Sequence, residues 1–478
     1  MDRKKSYLIG IPIFGALLGL FSFYSISNYI SHSELWSIAS APLLGQFITE
    51  ASVVYYKSLF HLILKIPFFF DLDNMTHILL ARHIFGVIAA YYVFLWFKIA
   101  FIVSKDWFHS SLYLLFLMSF QLFTYNIYRV RADLLAFLFI SLLIFHILLS
   151  LEQNKIIPKW KVLVLCFIAF LCTPKAIVPI LIVLLSLVSF YYKNNQLSKV
   201  TKPVLITFTL RIFFVSLLSL CLFIIDSNLE NPYGLALIYF SNNISGLLEF
   251  GHWHQFISSF KINFLSYFII FGSLIYALKK GQSHFSIHLS IMAWALFLIY
   301  PEKWDYFTAC LIPILSLPIL KILSLGDKKK IIAAYSIIFI VPLLISGHIF
   351  WFTSNTKQQD SIKQLERLVQ NNPNITYFDG TGLLPRHKSL QLFIGPRDPI
   401  GNEKAIQAIQ RKKPELIFYT GKSRNIEQKL KRILLIDYKL IEKGVWVLRS
   451  YEESLSIPND FKLDMPLENL FIYDFKPR

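Results

Sequence analysis

Residues 131–151 read RADLLAFLFISLLIFHILLSL. An arginine and an aspartate open the stretch, and from Leu134 to Leu151 there is no Asp, Glu, Lys or Arg. A helix rises about 1.5 Å per residue, so roughly 20 apolar residues cross the hydrocarbon core of a bilayer. A surface helix of a soluble protein would carry a polar stripe at every third or fourth position, and none is present. The stretch therefore reads as a transmembrane helix with its charges at one end.

The same pattern recurs along the chain. It places eleven spans at 7–27, 77–103, 109–127, 131–151, 161–173, 174–192, 203–225, 261–279, 284–300, 304–324 and 331–351. Thr173-Pro174 divides the fifth from the sixth, because the residue before a proline is driven out of the helical region. Composition agrees. Of 478 residues, 55% are apolar, 45 are Phe and only 16% are charged, against roughly 25% charged in a soluble domain. Trp36, Trp96, Trp107, Trp253 and Trp304 fall near span ends, as an aromatic belt requires.

The net charge is +18, which raises nucleic acid as a partner. The positions of the basic residues exclude that reading. They cluster in short loops between apolar runs: Arg3-Lys4-Lys5, Lys155 to Lys161, Lys193 to Lys202, Lys279-Lys280 and Lys328-Lys329-Lys330. Short basic loops stay in the cytoplasm, so the N-terminus is expected inside and the residues after the eleventh span outside. The apolar run after Arg3-Lys4-Lys5 is too long for a cleaved signal peptide and reads as a retained anchor. Cys166, Cys172, Cys221 and Cys310 all lie in apolar runs, without metal-ligand spacing.

Two outer loops are long, 28–76 and 226–260. The first holds two amphipathic stretches, Glu34–Leu44 and Glu50–Ile66, suited to lying along a membrane surface. The second ends near His252 and His254, which lack a third ligand and read as surface histidines. From 352 to 478 the composition changes. Asp360–Gln370 and Asn425–Leu435 read as helices, and Ile375–Asp379, Leu416–Thr420 and Gly444–Arg449 as strands. Together they predict a small C-terminal α/β domain.

Ionisable residues at span ends are costly and mark candidate function. Glu34, Glu50, Arg82, Arg129, Arg131, Asp133, Lys175, Lys303 and Asp305 all fall on the predicted outer side. Arginine and lysine at one depth can hold a lipid phosphate, and a carboxylate can take the proton of an attacking hydroxyl. That chemistry fits sugar transfer from a polyprenyl-phosphate donor. The bland readings are a solvated loop acid or a helix N-terminal charge for Glu34, an edge-of-membrane pair for Arg131 and Asp133, and snorkelling for Lys175 and Arg82. Arg211 receives no role.

Several segments also resemble the C-type glycosyltransferase (GT-C) superfamily, in its bacterial branch related to protein O-mannosyltransferases and the lipid A aminoarabinose transferase (glycosyltransferase family 39). His32-Ser-Glu34-Leu-Trp36 with Leu43-Leu-Gly45-Gln46 resembles that family's first outer loop. Ala81-Arg82, Arg131-Ala-Asp133-Leu-Leu, Cys172-Thr-Pro-Lys175-Ala and Tyr306–Pro313 resemble later segments in the same order. Tyr377-Phe-Asp379-Gly and Pro414-Glu-Leu-Ile-Phe resemble the periplasmic tail of some bacterial members.

The resemblance implies a polytopic α-helical membrane enzyme with an extracytoplasmic C-terminal domain, in a bacterial inner (cytoplasmic) membrane. It implies Glu34 as catalytic base, with Glu50 as a second acid, and Arg82, Arg131, Asp133 and Lys175 as contacts to lipid phosphate or sugar; Lys303, in the tight turn before the tenth span, joins them as a candidate on its charge and predicted outer position. The partners would be the polyprenyl-phosphate sugar donor, the bilayer and a glycan, lipid or protein acceptor; no nucleic acid is involved. No cofactor is required, although a divalent cation bridging the phosphate is compatible with the chemistry. Two departures stand out. Ser33 occupies the position of the family's first acid, and Val54-Tyr-Tyr56-Lys57 replaces its His-Pro-Pro. The alternatives are a flippase or transporter for a lipid-linked sugar, a polysaccharide polymerase, and a catalytically inactive lipid-binding relative.

Overall fold

The computed structural model of the chain describes residues 3–28, 30–41, 58–153, 159–194, 260, 263–281, 284–299, 305–323, 355–387 and 399–470. Its first part is helical: α1 (Arg3–Ser27), α2 (His32–Ser40), α3 (Ser58–Leu64), α4 (Asn74–Ser104), α5 (Trp107–Ser119), α6 (Gln121–Asn126), α7 (Ala132–Glu152), α8 (Lys159–Cys172), α9 (Ile177–Lys193), α10 (Phe264–Lys279), α11 (Phe285–Ile299), α12 (Asp305–Ser316) and α13 (Ile319–Leu323). Among the described residues, segments of α1, α4 and α7 are long and apolar enough to cross a membrane, and several shorter helices are apolar. The spans proposed at 203–225 and 331–351 lie outside the described residues, as does the boundary near 351.

Local chemistry sets the ends of the long helices. Asp73 caps α4 by accepting the Thr76 amide at 2.9 Å, and Lys105 ends that helix in the left-handed region. Asp106 then caps α5 through the Phe108 amide at 2.7 Å. Such caps satisfy orphan amides of a first helical turn. The proposed span at 109–127 is two pieces, α5 and α6, with Phe120 extended between them.

Helix α4 is the hub, packing against α1, α5, α7, α13 and a helix of the C-terminal segment. Its crossing with α1 is close because Gly86 lies there. A Cβ on Gly86 would sit 2.9 Å from the Phe21 carbonyl oxygen and 3.1 Å from Ser25 Oγ. Small residues let helices approach where lipid gives no hydrophobic drive between them. Pro313 lies inside α12, and the carbonyls of Cys310 and Pro313 accept the buried hydroxyls of Tyr92 and Tyr113.

The C-terminal segment contains α14 (Thr356–Gln370), α15 (Pro399–Lys412) and α16 (Glu427–Asp437). It also contains strands β1 (Tyr377–Asp379), β2 (Leu416–Phe418), β3 (Tyr438–Glu442) and β4 (Val445–Leu448). They form one sheet in the order β1-β2-β4-β3, with β1 and β2 parallel and the other pairs antiparallel. Side chains alternate between the faces of a strand. Phe378 and Ile417 face a cluster with Ala405, Ile409, Leu430 and Leu434 from α15 and α16. Tyr377, Leu416, Phe418, Val445 and Val447 join Ile362 and Leu365 in the core that continues into the helical part.

Candidate functional site

Glu34 sits in the first turn of α2, and the sequence Ser31-His-Ser-Glu34 explains why α2 starts there. The Ser31 side chain accepts the Glu34 amide at 3.3 Å, and Glu34 Oε2 accepts the Ser31 amide at 2.8 Å. This reciprocal pair is a capping box. The other oxygen, Oε1, lies 3.2 Å from Arg82 Nε and accepts the Val130 amide at 3.2 Å. Both Glu34 and Arg82 are fully buried. One carboxylate therefore ties together α2, α4 and the turn before α7. A solvated loop acid is thereby excluded for Glu34, and snorkelling for Arg82.

Arg82 is itself held from three sides. Its Nη1 donates to the Asn28 carbonyl at 2.6 Å, and its guanidinium carbon lies 6.0 Å from the centre of the Tyr128 ring. Arg129, also buried, adds a second positive charge near Glu34. Burial pushes the Glu34 pKa up. Arg82, Arg129 and the amides of Ser31 and Val130 outweigh it and hold the carboxyl below its ordinary range. An opposite charge and donated hydrogen bonds both favour the ionised form. A carboxylate has about four lone-pair directions; Ser31, Arg82 and Val130 occupy three, leaving one for a further donor.

Next to this group, Arg131 is extended and precedes α7, and Asp133 lies in the helix's first turn. An acid there is favoured by the helix dipole. Asp133 is buried, and its Oδ1 has no hydrogen-bond partner among the described residues. Lys175, half-buried, lies on the 3-10 turn Pro174–Ala176 between α8 and α9, which also packs against α7. Glu50 and Lys303 lie outside the described residues, as do His252 and His254. Asp305 is the first residue of α12.

The structure thus brings Glu34, Arg82, Arg129 and the Val130 amide into direct association, with Arg131 and Asp133 following in the chain. Sequence reasoning did not single out Ser31, Asn28 or Tyr128. Of these, Ser31 had a legible signal, the serine-to-glutamate spacing of a capping box. Among the described residues, no three His, Cys, Asp or Glu side chains are grouped to hold a metal ion. Comparison with protein families, with curated proteins and with solved structures finds no match to this chain.

Proposed function

We propose that this chain is a membrane glycosyltransferase that takes a sugar from a polyprenyl-phosphate donor and places it on a hydroxyl of a cell-envelope glycan, lipid or protein. The observation that carries the reading is a buried, ionised Glu34 flanked by Arg82 and Arg129, next to the start of α7. A buried carboxylate with guanidinium groups around it supplies both halves of the reaction. The acceptor oxygen attacks the anomeric carbon, its proton passes to a carboxylate, and the bond from that carbon to the phosphate oxygen breaks. The lipid phosphate leaves with the electron pair, and arginine stabilises its charge. A single displacement inverts the anomeric centre.

In this reading Glu34 is the base, acting through its fourth lone-pair direction, and Glu50 is a second candidate. Arg82, Arg131, Lys175 and Lys303 are candidates for the phosphate, Arg129 joins them on its proximity to Glu34, and Asp133 offers an unused buried oxygen to a sugar hydroxyl. The site faces the outer side of a bacterial cytoplasmic membrane, as does the C-terminal segment. A divalent cation, if bound, would supply further positive charge to stabilise the leaving phosphate, beside the role of Arg82, Arg129 and Arg131.

A second reading has its own support. Three donors already engage Glu34, an arrangement equally suited to a structural anchor in a protein that binds or moves a lipid-linked sugar without transferring it. Transfer assays separate the two. Membranes containing the protein, supplied with radiolabelled polyprenyl-phosphate sugars, should label an acceptor. Glu34→Gln should lower that rate by about a hundredfold or more, the usual scale for a lost general base. Equal rates would remove Glu34 from the chemistry. No transfer with any donor, despite donor binding, would favour the second reading.

A further inference from the structure

The helix that carries Glu34 is gripped at both ends by residues more than three hundred positions away in sequence. At its N-terminal end, one carboxamide pairs with both backbone groups of a single residue. Gln358 Oε1 accepts the Ile30 amide at 2.8 Å, and Gln358 Nε2 donates to the Ile30 carbonyl at 2.9 Å. The same Nε2 donates to the Leu470 carbonyl at 2.6 Å. Beside it, Asn355 Nδ2 donates to the carbonyls of Ile26 and Asn28, both at 2.9 Å. The Asn28 oxygen is also the acceptor for Arg82.

At the other end of α2, Gly382 is left-handed, at φ 74°, and lies against Ala39; any Cβ on Gly382 would overlap the Ala39 methyl. The buried Asp379 carboxylate holds that turn by accepting the amides of Thr381, Gly382 and Leu383. Gln358 and Asn355 are both buried, so replacing either leaves backbone groups unsatisfied where water does not reach them.

We propose that Gln358 and Asn355 are positioning residues for Glu34: by clasping the backbone of Ile26, Asn28 and Ile30, the C-terminal segment fixes the capping box and the Glu34–Arg82 pair, so the site is complete only when that segment is seated. This rests on the transferase reading for its kinetic consequence, but not for its structural one. Ser31, whose amide holds Glu34 Oε2, is the residue after the clasped Ile30. Loosening Ile30 moves the capping box and leaves the donor-binding arginines on α4 and before α7 in place.

The test uses the full-length chain in lipid nanodiscs, comparing wild type with Gln358→Met, which keeps the volume and removes all three hydrogen bonds. Two readouts are taken: amide hydrogen exchange of the peptide covering 28–40, and transfer from a radiolabelled polyprenyl-phosphate hexose. Gln358→Met should raise exchange across 28–40. It should lower kcat by about tenfold or more, as small misplacements of a reacting group do, with donor KM within about twofold. The acid limb of the kcat profile should move to higher pH, because Glu34 loses part of the hydrogen bonding that favours its ionised form.

Gln358→Glu keeps the acceptor for the Ile30 amide and should fall between the two; it also carries the test if the methionine variant does not fold. Unchanged exchange at 28–40 would overturn the clasp. Raised exchange with unchanged kcat would overturn its service to Glu34. A wild type that transfers nothing would sink the transferase reading alone, and exchange at 28–40 would still decide whether the clasp exists.

Discussion

Glu34 and Arg82 are a buried ion pair that also bonds to backbone groups of Ser31, Val130 and Asn28. Such pairs add little net stability against an apolar replacement, but removing one partner strands the other. Arg82→Met should therefore destabilise the protein by roughly 3–5 kcal/mol, read as a lower melting temperature in detergent. Arg82→Lys should recover only part of it, because a lysine cannot serve Glu34 and the Asn28 carbonyl with one planar fork. The pH dependence follows from the same contacts. The Glu34 carboxyl is held below its ordinary value of 4.5. Its contribution is therefore fully present above that value and is lost as pH falls through the lower folded value. Between pH 5 and 8, Glu34 should contribute no titration to stability, which melting curves across that range would check.

Helix α2 shows what a sequence conceals about an element. The reading of 34–44 as an amphipathic outer stretch located the right neighbourhood, and α2 covers His32–Ser40. Glu34 is legible in the sequence as a chemical group or as a helix N-terminal charge, and its capping box with Ser31 realises the second; its bonds to Arg82 and Val130, distant in sequence, are not legible there. The long helices were the most legible because their apolar runs exceed anything a soluble core requires. In the C-terminal segment, the reading found α14, α16, β1, β2 and β4 to within a few residues, since short β-branched and aromatic runs sit between polar turns. It missed β3 and α15. Tyr438-Lys-Leu-Ile-Glu442 is an edge strand whose Leu440 is half exposed, so its burial does not alternate cleanly. The composition of α15 is mostly polar, with its apolar residues confined to one face. At the α1–α4 crossing, the prediction is steric. Gly86→Val would push a branched side chain into the Phe21 carbonyl. Overpacking of this kind costs about 1–3 kcal/mol, measurable as a loss of thermal stability in detergent.

Across the whole molecule, the C-terminal segment and the helical part share one core and a second polar seam. Glu366 accepts both the backbone and side-chain amides of Asn74, whose Nδ2 lies 2.9 Å from His387 Nδ1 and whose Oδ1 accepts the Arg386 amide. None of these long-range pairings is visible in sequence, because each joins residues about three hundred positions apart. Burial lowers the pKa of His387 and outweighs Glu366, with Arg386 lowering it further. The folded state therefore prefers neutral His387, and the seam should lose stability as pH falls from the ordinary value of 6.5 toward the lower folded one. Proteolysis of the C-terminal segment should accelerate over that interval in wild type and less so in His387→Gln.

A group around Glu34 that receives a lipid phosphate should bind one directly. Native mass spectrometry of the purified protein would compare a polyprenyl phosphate with the neutral polyprenol, in wild type and in Arg129→Met. Wild type should prefer the phosphate, and Arg129→Met should lose about tenfold or more of that preference, on the scale of one charge-assisted contact, with polyprenol binding unchanged. Equal binding of phosphate and alcohol by wild type, or an undiminished preference in Arg129→Met, would contradict phosphate binding by this group.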